Sequence, residues 1–389
     1  MKDWKPYTFN EAVECNPKVT AKKGDIIENC EMEDINPSYK FLYPRKGKLY
    51  KGSNSKFQNG DTVFARITPC LENGKIAQVK GLKKNCGIGS TEFFVFRGKK
   101  NISYNDFVYY LSKTNLVRDT AVNSMTGASG RQRADIKAVK KISIKLPPLP
   151  IQQRIAAILS AYDDLIEVNN QRIKLLEQTA RDLYKEWFVR MRFPGYKQAK
   201  FKKGIPDKWA IDKVKNVVNR HKFGKTYKPE ELEETGKVIV IDQSIKALLG
   251  YHNNKPDHKA SAEKPMLIFG DHTCKMQLMV EDFSLAENVI PVSSKNEMPI
   301  YFLYFLIESL VETSEYKRHW NDLITKPVLI PIDDLQKKYS EIVKPFFEQI
   351  NILSKQNIHL RQIRDRLLPR LISGKLQAKE TTYKKAVIA

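Results

Sequence analysis

Residues 142–159 read ISIKLPPLPIQQRIAAIL, and this stretch decides the architecture. Ile142, Ile144 and Leu146 alternate with polar neighbours, the period of a half-buried strand. Pro147, Pro148 and Pro150 end it, because proline cannot donate to a ladder. From Ile151 the apolar residues recur at helical spacing, and Pro150 suits a first helical turn, where its missing N–H costs nothing. A looser copy, VLIPIDDLQKKYSEIV, stands at 328–343, with Asp333 or Asp334 as the expected helix cap. A strand is stopped and a helix launched, twice.

Sliding the chain along itself extends the match. DWKPYTF around Trp4 meets KWAIDKV around Trp209 at an offset of 205, where Phe64 meets Phe269 and Thr68 meets Thr273. FVYYL at 107–111 meets FLYFL at 302–306 at an offset of 195, as Glu92 meets Glu287. PLPIQQR meets PIDDLQK at 183. Gln171, Ile173, Leu175, Arg181 and Leu183 meet Gln356, Ile358, Leu360, Arg366 and Leu368 at 185. The falling offset marks about 20 residues lost inside the second copy's globular part. Each copy is a strand-rich stretch with turn signals such as QNGD, ENGK and GASG, followed by a long helix. The expected segments are a globular domain at 1–149, a helix at 150–193, a second domain at 194–332, a second helix at 333–376 and a basic tail at 377–389.

The helices carry a seam. Ile155, Tyr162, Asn169, Leu176 and Leu183 recur every seven residues, with Leu159, Ile166, Ile173, Ala180 and Trp187 as the companion row. The second helix offers Phe346, Leu353, Leu360 and Leu367 beside Val343, Ile350, Asn357, Arg364 and Leu371. Two such helices in one duplicated chain are expected to pair antiparallel, about a pseudo-two-fold axis. Forty helical residues span roughly 60 Å, enough to act as a ruler. Asn169 and Asn357 inside the seams either pin its register or mark a bent stretch. The predicted fold class is α+β, two globular mixed α/β domains joined by two long antiparallel coiled-coil helices.

Composition narrows the function. The 389 residues carry 67 Lys and Arg against 44 Asp and Glu, a net charge of +23, which favours a polyanionic partner over a merely soluble basic chain or a membrane surface. The five cysteines form no CxxC pair and read as reduced core residues of a cytoplasmic protein. The longest apolar run, YFLYFLI at 301–307, is far too short to span a bilayer. The histidines show no metal-ligand spacing. NPSY at 36–39 approaches the amino-methyltransferase signature NPPY, but GIGS at 87–90 lacks the strand–turn–helix context of a cofactor loop. GKT at 224–226 would need a glycine at 219, where Asn219 stands, and PDHK at 256–259 sits alone in a polar loop. With no coherent catalytic set, the chain reads as a non-enzymatic reader or adaptor.

Basic side chains interleaved with aromatics are the candidate DNA contacts. YPRKGKLYKGSNSK (43–56) supplies Arg45, Lys46, Lys48, Lys51 and Lys56, with Tyr43 and Tyr50 between them. SMTGASGRQR (124–133) supplies Arg131, Gln132 and Arg133; NRHKFGKTYK (219–228) supplies Arg220, Lys222, Lys225 and Lys228. Arg66, Lys75, His272 and Lys275 complete the set. Arg and Gln can bond bidentately to base edges, while Lys more often meets phosphate.

The plan of domain, helix, domain, helix resembles the specificity subunit of type I restriction–modification systems. So do GDTVFARITP (60–69), STEFFVF (90–96), GASGRQRADIKAVKKISIKLPPLPIQQRI (127–155), LLEQTARDLYKEWF (175–188) and RDRLLPRLISGKL (364–376). The second half departs from the pattern: HWNDLITKP stands where the first copy has its glycine–arginine loop, so symmetry transfers no role from Arg131. The resemblance implies two target-recognition domains, each reading half of a bipartite asymmetric site on double-stranded DNA. It implies helices that dock two methyltransferase subunits, and restriction/translocase subunits that join them. S-adenosylmethionine, ATP and Mg belong on those partners, with no cofactor or metal on this chain. The alternative is a coiled-coil scaffold or degenerate subunit with only non-specific DNA binding.

Overall fold

A computed structural model of the chain describes residues 3–243, 248–313 and 317–378. Of the expected basic tail, all but the first two residues lie outside them. The chain divides into two compact units, residues 1–170 with 355–389, and residues 171–354. Each long helix gives its N-terminal part to one unit and its C-terminal part to the other, so the division runs through the two expected helical segments, 150–193 and 333–376, while 1–149 and 194–332 each fall within one unit.

In the first unit, strand Lys5–Thr8 pairs antiparallel with Ser143–Leu146. Thr8 and Glu11 form a capping box that starts the short helix Phe9–Ala12. A five-stranded sheet follows in the order Val13–Cys15, Phe93–Gly98, Thr62–Ala65, Ile76–Val79, Phe41–Leu42. Its central strands bury both faces, and the pleat sorts their side chains. Phe64, Phe94 and Phe96 enter the core beneath helix Asn105–Ser112 and the long helices, whereas Val63, Phe93 and Val95 enter a second core with Phe57 and Leu82. At roughly 1.5–3 kcal/mol for each buried large apolar side chain, this two-sided burial is the main term holding the unit together. A four-stranded sheet, Arg45–Leu49, Ile26–Cys30, Gly87–Gly89, Ser55–Phe57, lies beyond that second core. Gly87 and Gly89 are packing glycines: an added Cβ would stand 2.5 Å from the Phe57 ring and 2.6 Å from the Cys30 carbonyl oxygen. The glycines of GIGS therefore stand in a buried strand, Gly87–Gly89, and form no cofactor turn.

The second unit repeats this order. Ala210–Lys213 pairs with Pro327–Ile330, and helix Val214–Val217 leads into a sheet of Val218–Arg220, Val289–Ser294, Met266–Gly270 and Met276–Met279. Three further strands, Leu248–His252, Val238–Ile241 and Phe283–Leu285, answer the first unit's second sheet, and both carry one parallel pair. Among the described residues these two larger sheets each have one strand fewer than their counterparts, while the two-stranded pairs match. The pleat again divides two cores, with Leu267 and Phe269 in one and Met266 and Ile268 in the other.

The register of the duplication differs in two places from the sequence match. Phe93 pairs with Ala65 and Val289 with Gly270, so Glu92 corresponds to Asn288 and not to Glu287. The side-chain amide of Gln152 donates to the Pro147 carbonyl (2.9 Å), and that of Gln336 to the Pro331 carbonyl (2.7 Å), both buried. The helix starts thus correspond at an offset of 184 instead of 183. The first long helix spans Leu149–Tyr184 and continues into a π-helical turn, Lys185–Val189. The second spans Asp333–Ile372, so Asp333 and Asp334 lie inside the first turn, not at the cap, where the helix dipole favours them.

The two helices run antiparallel within each unit. In the first, Ile155, Leu159 and Tyr162 share a core with Leu367, Leu368 and Leu371. In the second, Leu183, Tyr184 and Trp187 pack with Leu335, Tyr339, Val343 and Phe346. Ile166, Asn169, Leu353 and Asn357 are buried, and Ile173, Leu176, Ile350 and Leu360 are half-buried. Asn169 donates to Asn357 (3.0 Å), which donates to Asn170 (2.9 Å).

Candidate nucleic-acid interface

The basic ribbon at 43–56 becomes an edge strand. Arg45–Leu49 is exposed along its whole length and pairs only with Ile26–Cys30. Its charges are partly answered: Arg45 meets Glu33 (2.7 Å) and Asp34 (2.5 Å), and Lys48 meets Glu31 (2.9 Å). The Lys48 ammonium holds the Glu31 carboxyl below the usual carboxylate range. Lys46 and Lys51 stand exposed, while half-buried Lys56 lies over the Tyr50 ring at 5.9 Å. Edge strands commonly carry lysine to deter pairing with other chains. The same row of ammonium groups suits a phosphate backbone.

The second cluster gathers residues far apart in sequence. Arg133 closes on Glu92 through Nε (2.9 and 3.0 Å) and a terminal nitrogen (2.8 Å). Arg66 approaches the same carboxylate at 3.6 Å, with its guanidinium 5.2 Å above the Phe94 ring. The loop holding Arg133 is tied down by backbone bonds. Thr68 N–H donates to the Gln132 carbonyl (3.0 Å), and Ala134 N–H to the Arg66 carbonyl (2.8 Å). Arg131 is exposed beside it. Lys75 is not part of this cluster, because its ammonium is tied to the Met32 carbonyl (2.8 Å).

In the second unit Arg220 lies over the Phe223 ring (5.1 Å) and the Trp320 ring (5.8 Å). Lys225 sits over Tyr227 (4.5 Å) and pairs with Glu231 (2.8 Å), whose carboxyl it holds low. Lys222 and Lys228 are exposed. The His272 backbone N–H donates to the Gln243 side-chain oxygen (2.9 Å), and its ring lies against the Lys317 carbonyl through Nδ1 (3.0 Å). Burial pushes the Lys275 ammonium down.

One residue escaped the sequence reading. His319 N–H donates to the Asp271 carbonyl (2.8 Å), as Ala134 N–H does to Arg66, so Arg318 occupies the place of Arg133. Its guanidinium faces Asp271 at 3.9 Å, while the other oxygen of that carboxylate takes the Trp320 N–H (2.8 Å). No glycine flanks Arg318, and the glycine–arginine signature was the cue that its sequence lacked.

All five thiols are free, and burial pushes Cys15 up to about 11 and Cys30 up to about 12, away from reactivity. His258 of PDHK is stacked on Phe283 at 5.0 Å. Among the described residues no group of His, Cys, Asp and Glu could hold a metal ion, and no helix is long and apolar enough to cross a membrane.

Comparison with known proteins converges on one family. The profile described as type I restriction modification DNA specificity domain matches residues 1–178. The type I restriction enzyme MjaIX specificity subunit of Methanocaldococcus jannaschii is 25% identical over 305 residues, 71% of this chain and 70% of that protein. The MjaVIII specificity subunit of the same organism is 24% identical over 421 residues, covering 98% of this chain and 95% of that one. Among solved structures, the S subunit of the type I restriction–modification system of M. genitalium aligns over 95% of this chain and 96% of its own. The TM-score is 0.50 at 18% identity, a likeness of fold.

Proposed function

We propose that the chain is a non-catalytic specificity subunit of a type I restriction–modification system, and that its two domains read the two halves of a bipartite, asymmetric DNA site. The observation that carries this reading is the duplication itself. One strand order is built twice, and the side chains at matching places differ, Arg66, Glu92 and Gln132 against Asp271, Asn288 and Lys317. Equal scaffolds with unequal contact residues suit two different half-sites.

The net charge of +23 supplies the sequence-independent part of the binding through phosphate neutralisation and counterion release. Arginine and glutamine side chains supply the part that discriminates bases. The partners are double-stranded DNA, two methyltransferase subunits docked on the long helices, and restriction/translocase subunits. Adenine methylation and cleavage belong to those partners, together with S-adenosylmethionine, ATP and Mg. The site of action is the cytoplasm.

The test is genome-wide adenine methylation in a methylation-free host that expresses a cognate methyltransferase subunit with and without this chain. A split motif that appears only with the chain is expected. A stable complex of the two proteins that adds no methylation would mean a scaffold or degenerate subunit.

A further inference from the structure

The geometry points to Arg133 and Arg318 as matched base-reading residues, one for each half-site, each facing a carboxylate that stands at a different position of the shared backbone frame in the two repeats. This assignment rests on the bipartite reading above and names the side chains that carry part of it.

Backbone equivalence comes first. Arg66 N–H donates to the Glu92 carbonyl (3.0 Å), and Asp271 N–H to the Asn288 carbonyl (2.8 Å). Ala134 and His319 close the frame with bonds of 2.8 Å to the carbonyls of Arg66 and Asp271. Three positions are thereby matched. In the first unit they hold Arg66, Glu92 and Arg133; in the second, Asp271, Asn288 and Arg318. Only the arginine persists. The carboxylate beside it stands at the Glu92 position in the first unit and at the Arg66 position in the second, just before one strand and just after its neighbour, while the guanidinium keeps its place.

A guanidinium kept only for stability would be a poor reason for this, since partly exposed ion pairs contribute about 0–1 kcal/mol. Both arginines remain open to solvent, with side-chain exposures of 45% for Arg133 and 73% for Arg318. Glu92 takes Nε and one terminal nitrogen of Arg133, and the other terminal nitrogen lies 3.5 Å from the Arg131 carbonyl; each terminal nitrogen carries a second hydrogen, a pair able to bond guanine O6 and N7. Glu92 is a positioning residue that fixes the Arg133 fork by hydrogen bonds, while Asp271 faces Arg318 at 3.9 Å as a charge partner. The formal charges of the matched triplets also differ, +1 in the first unit and 0 in the second, as expected for unlike half-sites.

The experiment is methylome sequencing of the assembled complex carrying Arg133→Lys, Arg318→Lys or Glu92→Gln in this chain. Lysine keeps the charge and loses the fork. Arg133→Lys is expected to relax one base position in one half-site by about tenfold or more, and Arg318→Lys one position in the other half. Glu92→Gln should relax the same position as Arg133→Lys, which a merely structural role would not do. Weakened methylation at every site with an unchanged motif, and a salt slope lower by about one, would mean phosphate contacts and overturn the assignment. Relaxation of both halves by one variant, or of neither, would overturn it as well. Should Arg133→Lys fail to assemble, Glu92→Gln and Arg318→Lys still decide the matter. A wild-type complex that produces no split motif would overturn the reader function itself, and it is scored before any variant.

Discussion

Arg364, at a seam position of the second long helix, places its guanidinium directly on the carboxylate of Asp163 in the first, and both side chains are almost wholly buried. Tyr110 of the globular domain donates its hydroxyl to the other carboxylate oxygen (2.5 Å). Three elements of the first unit therefore meet at one carboxylate. Burial alone would push the Arg364 guanidinium down, and Asp163 with Asp365 holds it charged. Removing one partner of a buried pair leaves an uncompensated charge and costs about 3–5 kcal/mol. Asp163→Ala should destabilise by that order in urea titrations, and Asp163→Leu with Arg364→Met should recover much of the loss. A double variant that loses as much as the two single variants added together would show that the pair is not coupled.

Lys113 lies against the same cluster. Its ammonium approaches the Pro37 carbonyl (3.5 Å) and the Tyr109 ring (5.7 Å). Burial first, then the Arg364 guanidinium, pushes it down to about 8 from an ordinary 10.5, with Asp163 and Asp365 opposing. Between those two pH values the unfolded chain keeps a proton that the folded chain has released. Stability gained from this group should therefore rise from about pH 8 to 10.5, and its cost is fully present at pH 7. Lys113→Met should raise stability at pH 7 by on the order of 1–3 kcal/mol and flatten that rise. Parallel pH profiles for wild type and variant would contradict the assignment.

The asparagines of the seam form a chain in which Asn357 accepts from Asn169 and donates to Asn170. Asn357→Leu strands the buried amide of Asn169 and the half-buried one of Asn170, so a loss of about 1–3 kcal/mol is expected. Replacing Asn169 and Asn357 together by leucine should restore stability and loosen register, since leucine accepts neighbouring seam positions equally well. Cysteine cross-linking across the helix pair reads this directly. One cross-linked species in the double variant would show that register is fixed elsewhere.

What the sequence showed depended on periodicity. The duplication, the strand stops at Pro147 and Pro331 and the heptad rows were legible because each repeats along the chain. Asp163 was not, because a charged residue one place off the seam row reads as solvated until Arg364 and Tyr110 arrive from distant segments. Arg318 was hidden because its equivalence to Arg133 lies in backbone bonds through His319 and Asp271, while the neighbouring sequence had diverged. Glu287 was mistaken for the partner of Glu92 because adjacent insertions shift a local match by one residue. A sheet register resolves that and a string of letters does not. The basic loops were legible as charge, and their acid partners Glu31, Glu33, Asp34 and Glu92 were not, since ion pairs obey no spacing rule.

The edge ribbon offers a last prediction, one that separates phosphate contacts from base contacts. Lys46 and Lys51 stand exposed on or just beyond strand Arg45–Leu49, while Arg45 and Lys48 are drawn toward carboxylates. Lysine on a flexible stem acts as a point charge for phosphate. Lys46→Ala with Lys51→Ala should weaken binding to every duplex alike and reduce the slope of log K against log salt by about two, roughly one for each phosphate contact. The methylation motif should not change, because no base-reading fork is touched. Titrations by fluorescence anisotropy with cognate and scrambled duplexes at several salt concentrations measure both quantities. If discrimination between the two duplexes falls while the salt slope holds, the ribbon lies in a groove and reads bases instead.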